Sequence, residues 1–437
     1  MLINWQKYNY RYLIFFLVLY SNSAISFAAK VNYNVDLSLT HYDNINQELN
    51  PPSDEWVEEI TGRVMVRENS SKLVSNVNAS LSALHYQNQQ QEDAITGELY
   101  ADALWIVKPK HFEWYALDVF TQTVINPLQS NTQSNRQDTN TFSTGPNYYI
   151  RINKLNNLNL EARAGRVTYS DTNEDNNRAS TAVRWVYQAN SAMTDSLNWE
   201  VEKLDFDDSS INDYYRHHLY GRVDYVKGRN TFAAEAGVTR IDYKNQDDQQ
   251  GQRYLVSLEN QRTRNSSILL RYSHRITDTG AEILTPVVNM SVASPVPVTT
   301  PGLLPASDIY TDDTLSFEYN KVSLRDSLFI NLIQSEQDFK TDNRFDQKST
   351  SISVIPAYHF SQASLVRLEA YQVKTRYVNV SPLVEDTDKS LKIVYSRNIS
   401  RNKILNFSYE KLERDSTDPT RNYKDNISMI LFRYTSI

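Results

Sequence analysis

From Val31 onward apolar and polar residues alternate with a period of two, and the pattern holds almost to the C-terminus. Val31, Tyr33, Val35, Leu37 and Leu39 alternate with Asn32, Asn34, Asp36, Ser38 and Thr40. Side chains of an extended chain point to opposite faces in turn, so this run predicts a strand with one apolar and one polar side. The pattern returns in Ile60, Gly62, Val64 and Val66 against Thr61, Arg63, Met65 and Arg67. Leu158, Leu160, Ala162 and Ala164 stand against Asn159, Glu161, Arg163 and Gly165 in the same way, and Val366, Leu368 and Ala370 against Arg367, Glu369 and Tyr371. Each run is about 9–12 residues, the length a tilted strand needs to cross a bilayer.

The connections alternate in length. Short ones stand at Asn69–Ser71, Pro109–Lys110, Lys154–Asn156, Lys227–Asn230 and Ser361–Gln362. Between them lie long polar segments: 43–55, 87–96, 126–140, 170–177, 205–213, 244–252, 277–313, 335–349, 374–388 and 413–424. Short turns on one side and long loops on the other predict an all-β chain folded as a transmembrane antiparallel up-and-down β-barrel, with periplasmic turns and extracellular loops. The runs count to about 20 strands in about ten hairpins. Dropping the weaker runs near Leu197–Val201 and Phe142–Ile152 leaves about 18 as the alternative. The last run, Ile427–Tyr434, is apolar on both parities and reads as the closing strand.

Composition narrows the choice. No stretch after residue 28 approaches 18 consecutive apolar residues, which excludes helical spanning but not a barrel, whose strands never give a strong hydropathy peak. A soluble sandwich of this size would carry more than the 10 Gly present, and a solenoid would show a fixed repeat that these uneven loops lack. Tyr is abundant at 29 and Cys is absent, so disulfides and thiolate metal sites are excluded. Trp56, Trp105, Tyr115, Trp185, Trp199, Tyr225, Tyr358 and Tyr395 sit near run ends, where amphipathic rings would meet the two membrane interfaces.

At the N-terminus, Lys7 and Arg11 precede the apolar Tyr12–Tyr20, and Ser26 and Ala28 are placed for cleavage before Ala29. About nine apolar residues cannot span a core that needs roughly 20, so 1–28 is predicted as an export signal peptide and 29–437 as the barrel. That places the chain in the bacterial outer membrane, with outer-membrane lipid and lipopolysaccharide as partners. Without Lys7 and Arg11 the remainder carries 43 basic against 52 acidic residues, a formal charge of −9. The acidic balance argues against nucleic-acid binding.

Thr40–Ile45 (THYDNI), then Pro52-Ser53-Asp54, a strand over Val57–Arg67 and its hairpin partner through Tyr86 resemble the outer-membrane β-barrel porins encoded with exopolysaccharide and exosortase (PEP-CTERM) systems. The matching region is roughly the first 120 residues after the leader; beyond it the match is one of length and strand rhythm. The resemblance implies a conduit for exopolysaccharide export, or a partner of polysaccharide and of periplasmic export components. A general or nutrient diffusion porin, and a structural or adhesive barrel acting through its acidic loops, remain the alternatives.

The polar parity of the strands supplies the candidate pore lining: Arg63, Arg67, Glu161, Arg163, Arg184, Arg222, Asp224, Glu259, Arg271, Glu318, Arg367 and Glu369. A lumen of about 20 strands is too wide for side chains to fill, so these groups border either a water path or a plug. Opposite charges there could bind the hydroxyls and carboxylates of a sugar chain, with Tyr149, Tyr220 and Tyr371 as stacking faces. Cross-strand pairing that only holds the barrel's shape is the plainer reading of any one of them.

The segment Thr285–Pro305, apolar and rich in Pro, predicts either a constriction in the mouth, a partner surface or a free loop. No catalytic, cofactor or metal site is predicted. His217-His218 and Ser273-His274 point to opposite faces, and Asp171, Asn173 and Asp175 lack the Gly and final Glu of a calcium loop.

Overall fold

The computed structural model describes residues 29–49, 52–126, 128–129, 132–284, 309–340 and 342–436. The predicted leader and the run Thr285–Pro305 lie outside the described residues. Twenty strands make up almost everything else. They are β1 (Lys30–Tyr42), β2 (Glu55–Asn69), β3 (Leu73–Tyr86), β4 (Ala94–Lys108), β5 (Phe112–Val124), β6 (Arg136–Arg151) and β7 (Asn156–Tyr169). Next come β8 (Asn176–Gln188), β9 (Met193–Phe206), β10 (Tyr214–Lys227), β11 (Asn230–Tyr243), β12 (Gln249–Thr263) and β13 (Ser266–Asp278). A six-residue helix, α1 (Thr279–Leu284), follows. The ring is completed by β14 (Ile309–Val322), β15 (Asp326–Phe339), β16 (Gln347–Ser361), β17 (Ser364–Tyr377), β18 (Val384–Ser400), β19 (Lys403–Ser416) and β20 (Tyr423–Thr435).

Each strand pairs antiparallel with the next, and β1 pairs with β20 from Asn34 opposite Thr435 to Tyr42 opposite Ile427, which closes a 20-stranded ring. Closure leaves no strand edge, the condition for crossing hydrocarbon, where an unpaired amide costs several kcal/mol. The seam has its own tie. Arg433 donates to Asp36 through Nε at 2.7 Å and Nη2 at 2.8 Å, Arg63 pairs with the same carboxylate, and Asp36 thus joins β20, β1 and β2.

The alternation in the sequence becomes a wall with two unlike sides. Leu219 on β10 and its partner Trp199 on β9 are 49% and 51% exposed on the outside, whereas the inward Glu235 and Asp36 are 8% and 3% exposed. Greasy residues outside and buried charges inside would be unstable in water on both counts. Lipid outside and a polar interior satisfy both, so the chain is a transmembrane barrel of the outer-membrane type. The two weak runs are the full strands β6 and β9, and the count is 20.

Strands run 13–17 residues, longer than the 9–12 expected from bilayer thickness. The surplus lies on the long-loop side, where segments read as loop, such as 335–339 and 384–388, continue the sheet beyond the bilayer. Trp199 stands mid-strand opposite Leu219 instead of near an end, and Tyr115 departs from its expected place as well. It faces the interior, with the Arg163 guanidinium 5.1 Å from its ring, and Trp114 takes the outer position beside it.

Candidate functional site: the inner wall and an inward-folded hairpin tip

The predicted lining residues lie on the inner parity of their strands, and most are held in ion pairs. Arg184 on β8 donates to Glu161 on β7 at 3.0 Å and to Glu200 on β9 at 2.5 Å. Arg222 on β10 donates to Asp224 and to Glu235 on β11, each at 2.6 Å, and Arg253 on β12 donates to the other oxygen of Glu235 at 3.1 Å. Arg367 pairs with Glu369 at 2.5 Å within β17. Arg163 stands 3.9 Å from Glu161 and gives its N–H groups to neutral acceptors: the carbonyls of Pro146 and Ala162, at 3.0 and 2.8 Å, and Oδ1 of Asn147 at 2.5 Å. Glu318 lies within electrostatic reach of Arg271 and Glu259, and Arg67 sits exposed near the short-turn end.

Of the three tyrosines offered as stacking faces, two are already engaged. The guanidinium of Arg253 covers the Tyr220 ring at 4.5 Å while the hydroxyl donates to Glu200 at 2.7 Å. Tyr149 donates to Glu113 at 2.9 Å. Tyr371, on the wall formed by β17, is more exposed than either.

The feature that sequence reasoning missed begins where β13 leaves β12. Their pairing stops at Tyr254 opposite His274, yet β13 stays paired with β14 as far as Asp278 opposite Ile309. Freed on one side, the tip of this hairpin bends into the lumen. Ile276 and Ile309 bury themselves against Leu204 on β9, Tyr214 on β10 and Ile241 on β11, with Phe206 and Tyr243 packed around them. Ile276 lies directly over Gly251 of β12, so that a Cβ there would push its terminal methyl aside. This is a small apolar core inside an otherwise polar wall. Its sequence signal was present in Leu204, Tyr214 and Ile241, apolar residues standing on the polar parity of their strands.

Beyond Asp278 the chain turns into α1, which lies against β5 and β6. Asp278 caps this helix, since Oδ1 accepts the backbone N–H of Ala281 at 3.0 Å, three residues on. The same carboxylate is buried between two arginines of the wall. Arg216 Nη1 donates to Asp278 Oδ2 at 2.7 Å, Arg178 Nη2 pairs with Oδ1, and both guanidiniums reach Glu202 on β9. Two cations and two anions close a square, and the Tyr214 hydroxyl donates to Asp278 at 3.4 Å. Gly280 sits against the Arg178 guanidinium so closely that a side chain at this position would collide with it. Where the tip docks, therefore, is fixed by charge pairing at Asp278 and by the missing side chain at residue 280.

A second excursion meets the mouth from the other side. Arg421, after β19, pairs with Asp386 on β18 and donates to the carbonyl of Leu128, which belongs to the β5–β6 connection. Those two connections are six strands apart around the ring.

The His residues divide as their parity requires. His218 is buried inside, its Nδ1 2.8 Å from the Thr239 hydroxyl. His41, His85, His217 and His274 stand on the outer parity near the long-loop rim, each beside an Asp, at 2.6 Å for His41–Asp54 and 2.7 Å for His274–Asp313. Among the described residues, His41, Asp43 and Asp54 are the one group with metal-ligand spacing. Both ring nitrogens of His41 already face these carboxylates and Asp43 accepts from Asn426 at 2.8 Å, so ordinary ion pairing accounts for the group.

No family model matches the chain, and no curated protein does. Solved structures that superpose on it include OccK5 (OpdH) of Pseudomonas aeruginosa, at 10% identity and a TM-score of 0.39, covering 94% of this chain and 98% of that one. OccK2 (OpdF) of the same organism, solved in complex with glucuronate, superposes at 8% identity and a TM-score of 0.41, covering 94% and 99%. A BenF-like porin from Pseudomonas fluorescens does so at 10% identity and a TM-score of 0.43, again covering 94% and 99%. The similarity to these porins is loose, and the barrel assignment here stands on the closed ring of twenty antiparallel pairings and the inverted polarity of its wall.

Proposed function

We propose that this protein is a passive outer-membrane diffusion channel for small hydrophilic solutes, narrowed on the extracellular side by the inward tip of the β13–β14 hairpin. The observation that carries the reading is an inner wall built of paired charges around a lumen too wide for side chains to fill. Passage through such a channel makes and breaks no covalent bond, so no enzymatic role is assigned. The polar outer rim, including the four His–Asp pairs, would meet lipid headgroups and lipopolysaccharide.

Exopolysaccharide export is the narrower alternative and rests on the resemblance of Thr40–Tyr86 alone. A polymer needs a continuous broad path, and a hairpin tip latched across part of the mouth favours small solutes instead. Conductance of the purified protein in planar bilayers tests the channel. Ion flow is expected, together with entry of mono- and disaccharides into protein-containing vesicles and exclusion of long glucans. A silent bilayer, with no sugar entry, would leave only a structural or adhesive barrel.

A further inference from the structure

Beside the docked α1, the inner faces of β5 to β9 line a half-open cavity of about 190 Å³. Its wall includes Tyr115, Ser143, Arg163, Arg178, Ser180 and Glu202. We propose that this cavity is a binding subsite for a single neutral sugar ring, or a cyclic polyol of that size, on the solute's path; the proposal rests on the diffusion-channel reading above.

Size comes first. Sites for drug-sized ligands begin at roughly 300 Å³, so this one suits one ring and not a chain of them. Charge comes second. Arg163, Arg178, Arg184 and Arg216 are matched one for one by Glu161, Glu200, Glu202 and Asp278, each within 4 Å of at least one partner. A charged solute would have to displace a member of that set or stand beside a like charge, whereas a neutral one need not. Donors and acceptors come third. The hydroxyls of Ser143, Ser180 and Tyr115 have no hydrogen-bond partner among the described residues, and each can both donate and accept, as a sugar hydroxyl does. The Arg163 Nε–H is likewise uncommitted, and the face of the Tyr115 ring can meet ring C–H groups. Unmet hydroxyl groups along a cavity wall are solvated in the free channel and can be exchanged for solute hydroxyls at little net cost.

The test uses the full-length purified protein in planar bilayers, with D-glucose, maltotriose and sodium gluconate as probes. Millimolar glucose is expected to produce brief reversible interruptions of the current, with gluconate weaker. In the Ser143→Ala/Ser180→Ala double variant the glucose dwell time should fall about tenfold, from the loss of two modest hydrogen bonds. Titration calorimetry of glucose into detergent-solubilised wild type and variant gives a readout that needs no conductance, and the thermal unfolding midpoint of each sample certifies folding. Should Ser143→Ala/Ser180→Ala not fold, Tyr115→Phe serves in its place, with the same direction of change. A conducting channel on which glucose gives neither interruptions nor heat overturns the subsite and leaves the channel intact. Gluconate binding more tightly than glucose, or a folded variant that binds as wild type does, overturns it as well. A silent wild-type protein whose glucose heat is lost in the variant supports the subsite and removes the channel reading instead.

Discussion

At the scale of single residues, Asp278 ties several parts of the tip to the wall at once. Its carboxylate caps α1 and neutralises Arg178 and Arg216, and the last two of these three jobs require the negative charge. A buried ion pair adds little net stability when formed, but removing one partner costs about 3–5 kcal/mol because the other charges are left uncompensated. Asp278→Asn would keep the shape and the cap while leaving two guanidiniums facing Glu202 alone. A change of this size shifts a docked-to-released equilibrium by a factor on the order of hundreds or more. The tip should therefore leave the wall. Higher open-channel conductance and faster protease cleavage within residues 279–284 are expected, while the barrel stays folded. Conductance and cleavage indistinguishable from wild type would mean that the tip is held by the Ile276–Ile309 core and not by charge.

At the scale of strands, the outer face has to match hydrocarbon near mid-height and headgroups at the rim. Leu219 and His217 share that face on β10 and differ only in height. Arginine at the midplane of such a barrel costs about 2–4 kcal/mol, against roughly 0–1 near the interface. Leu219→Arg should lose that larger amount in guanidinium unfolding from lipid vesicles and His217→Arg almost nothing; equal losses would contradict the assigned membrane position.

How far the strands could be read from the chain follows from the same physics. Alternation marks any strand with unlike faces, so the hairpins, the ten long loops and the inner parity of Arg63, Glu161, Arg184 and Arg222 were all legible. Turns such as Arg264-Asn265 and Arg401-Asn402 contain neither Gly nor Pro and left no punctuation to find. The latch was hidden for a different reason. Asp278 lies inside a segment read as loop, and Arg178 and Arg216 lie just past loop edges, because bilayer thickness sets the minimum length of a strand and not its end. Which arginine meets which carboxylate depends on register across strands up to 100 residues apart in sequence, and alternation is silent on register.

At the scale of the whole molecule, the placement of charge decides which ions pass. Along the inner wall of β7 to β12, Arg and Glu or Asp are interleaved in pairs, so their fields largely cancel within a few ångströms. Rings of a single sign, the usual basis of charge selectivity, are not built there. The excess of acid that gives residues 29–437 their charge of −9 lies partly in the extracellular connections. Asp171, Glu174 and Asp175 share one connection without a base, and Asp207, Asp208 and Asp213 share another. Such groups act at a distance and are screened by salt, over about 3 Å at 1 M but about 10 Å at 0.1 M and further below that. In 1 M KCl the barrel should then pass K⁺ and Cl⁻ almost equally, with a reversal potential near zero under a salt gradient. Below about 0.1 M the acidic mouth should draw in cations and move the reversal potential toward the K⁺ value. Replacing the three aspartates of 207–213 with asparagine should shrink that low-salt shift without changing the high-salt behaviour. A strong preference for either ion that persists at 1 M would place unpaired charge at the narrowest point of the lumen, against the pairing of Arg178, Arg216, Glu202 and Asp278.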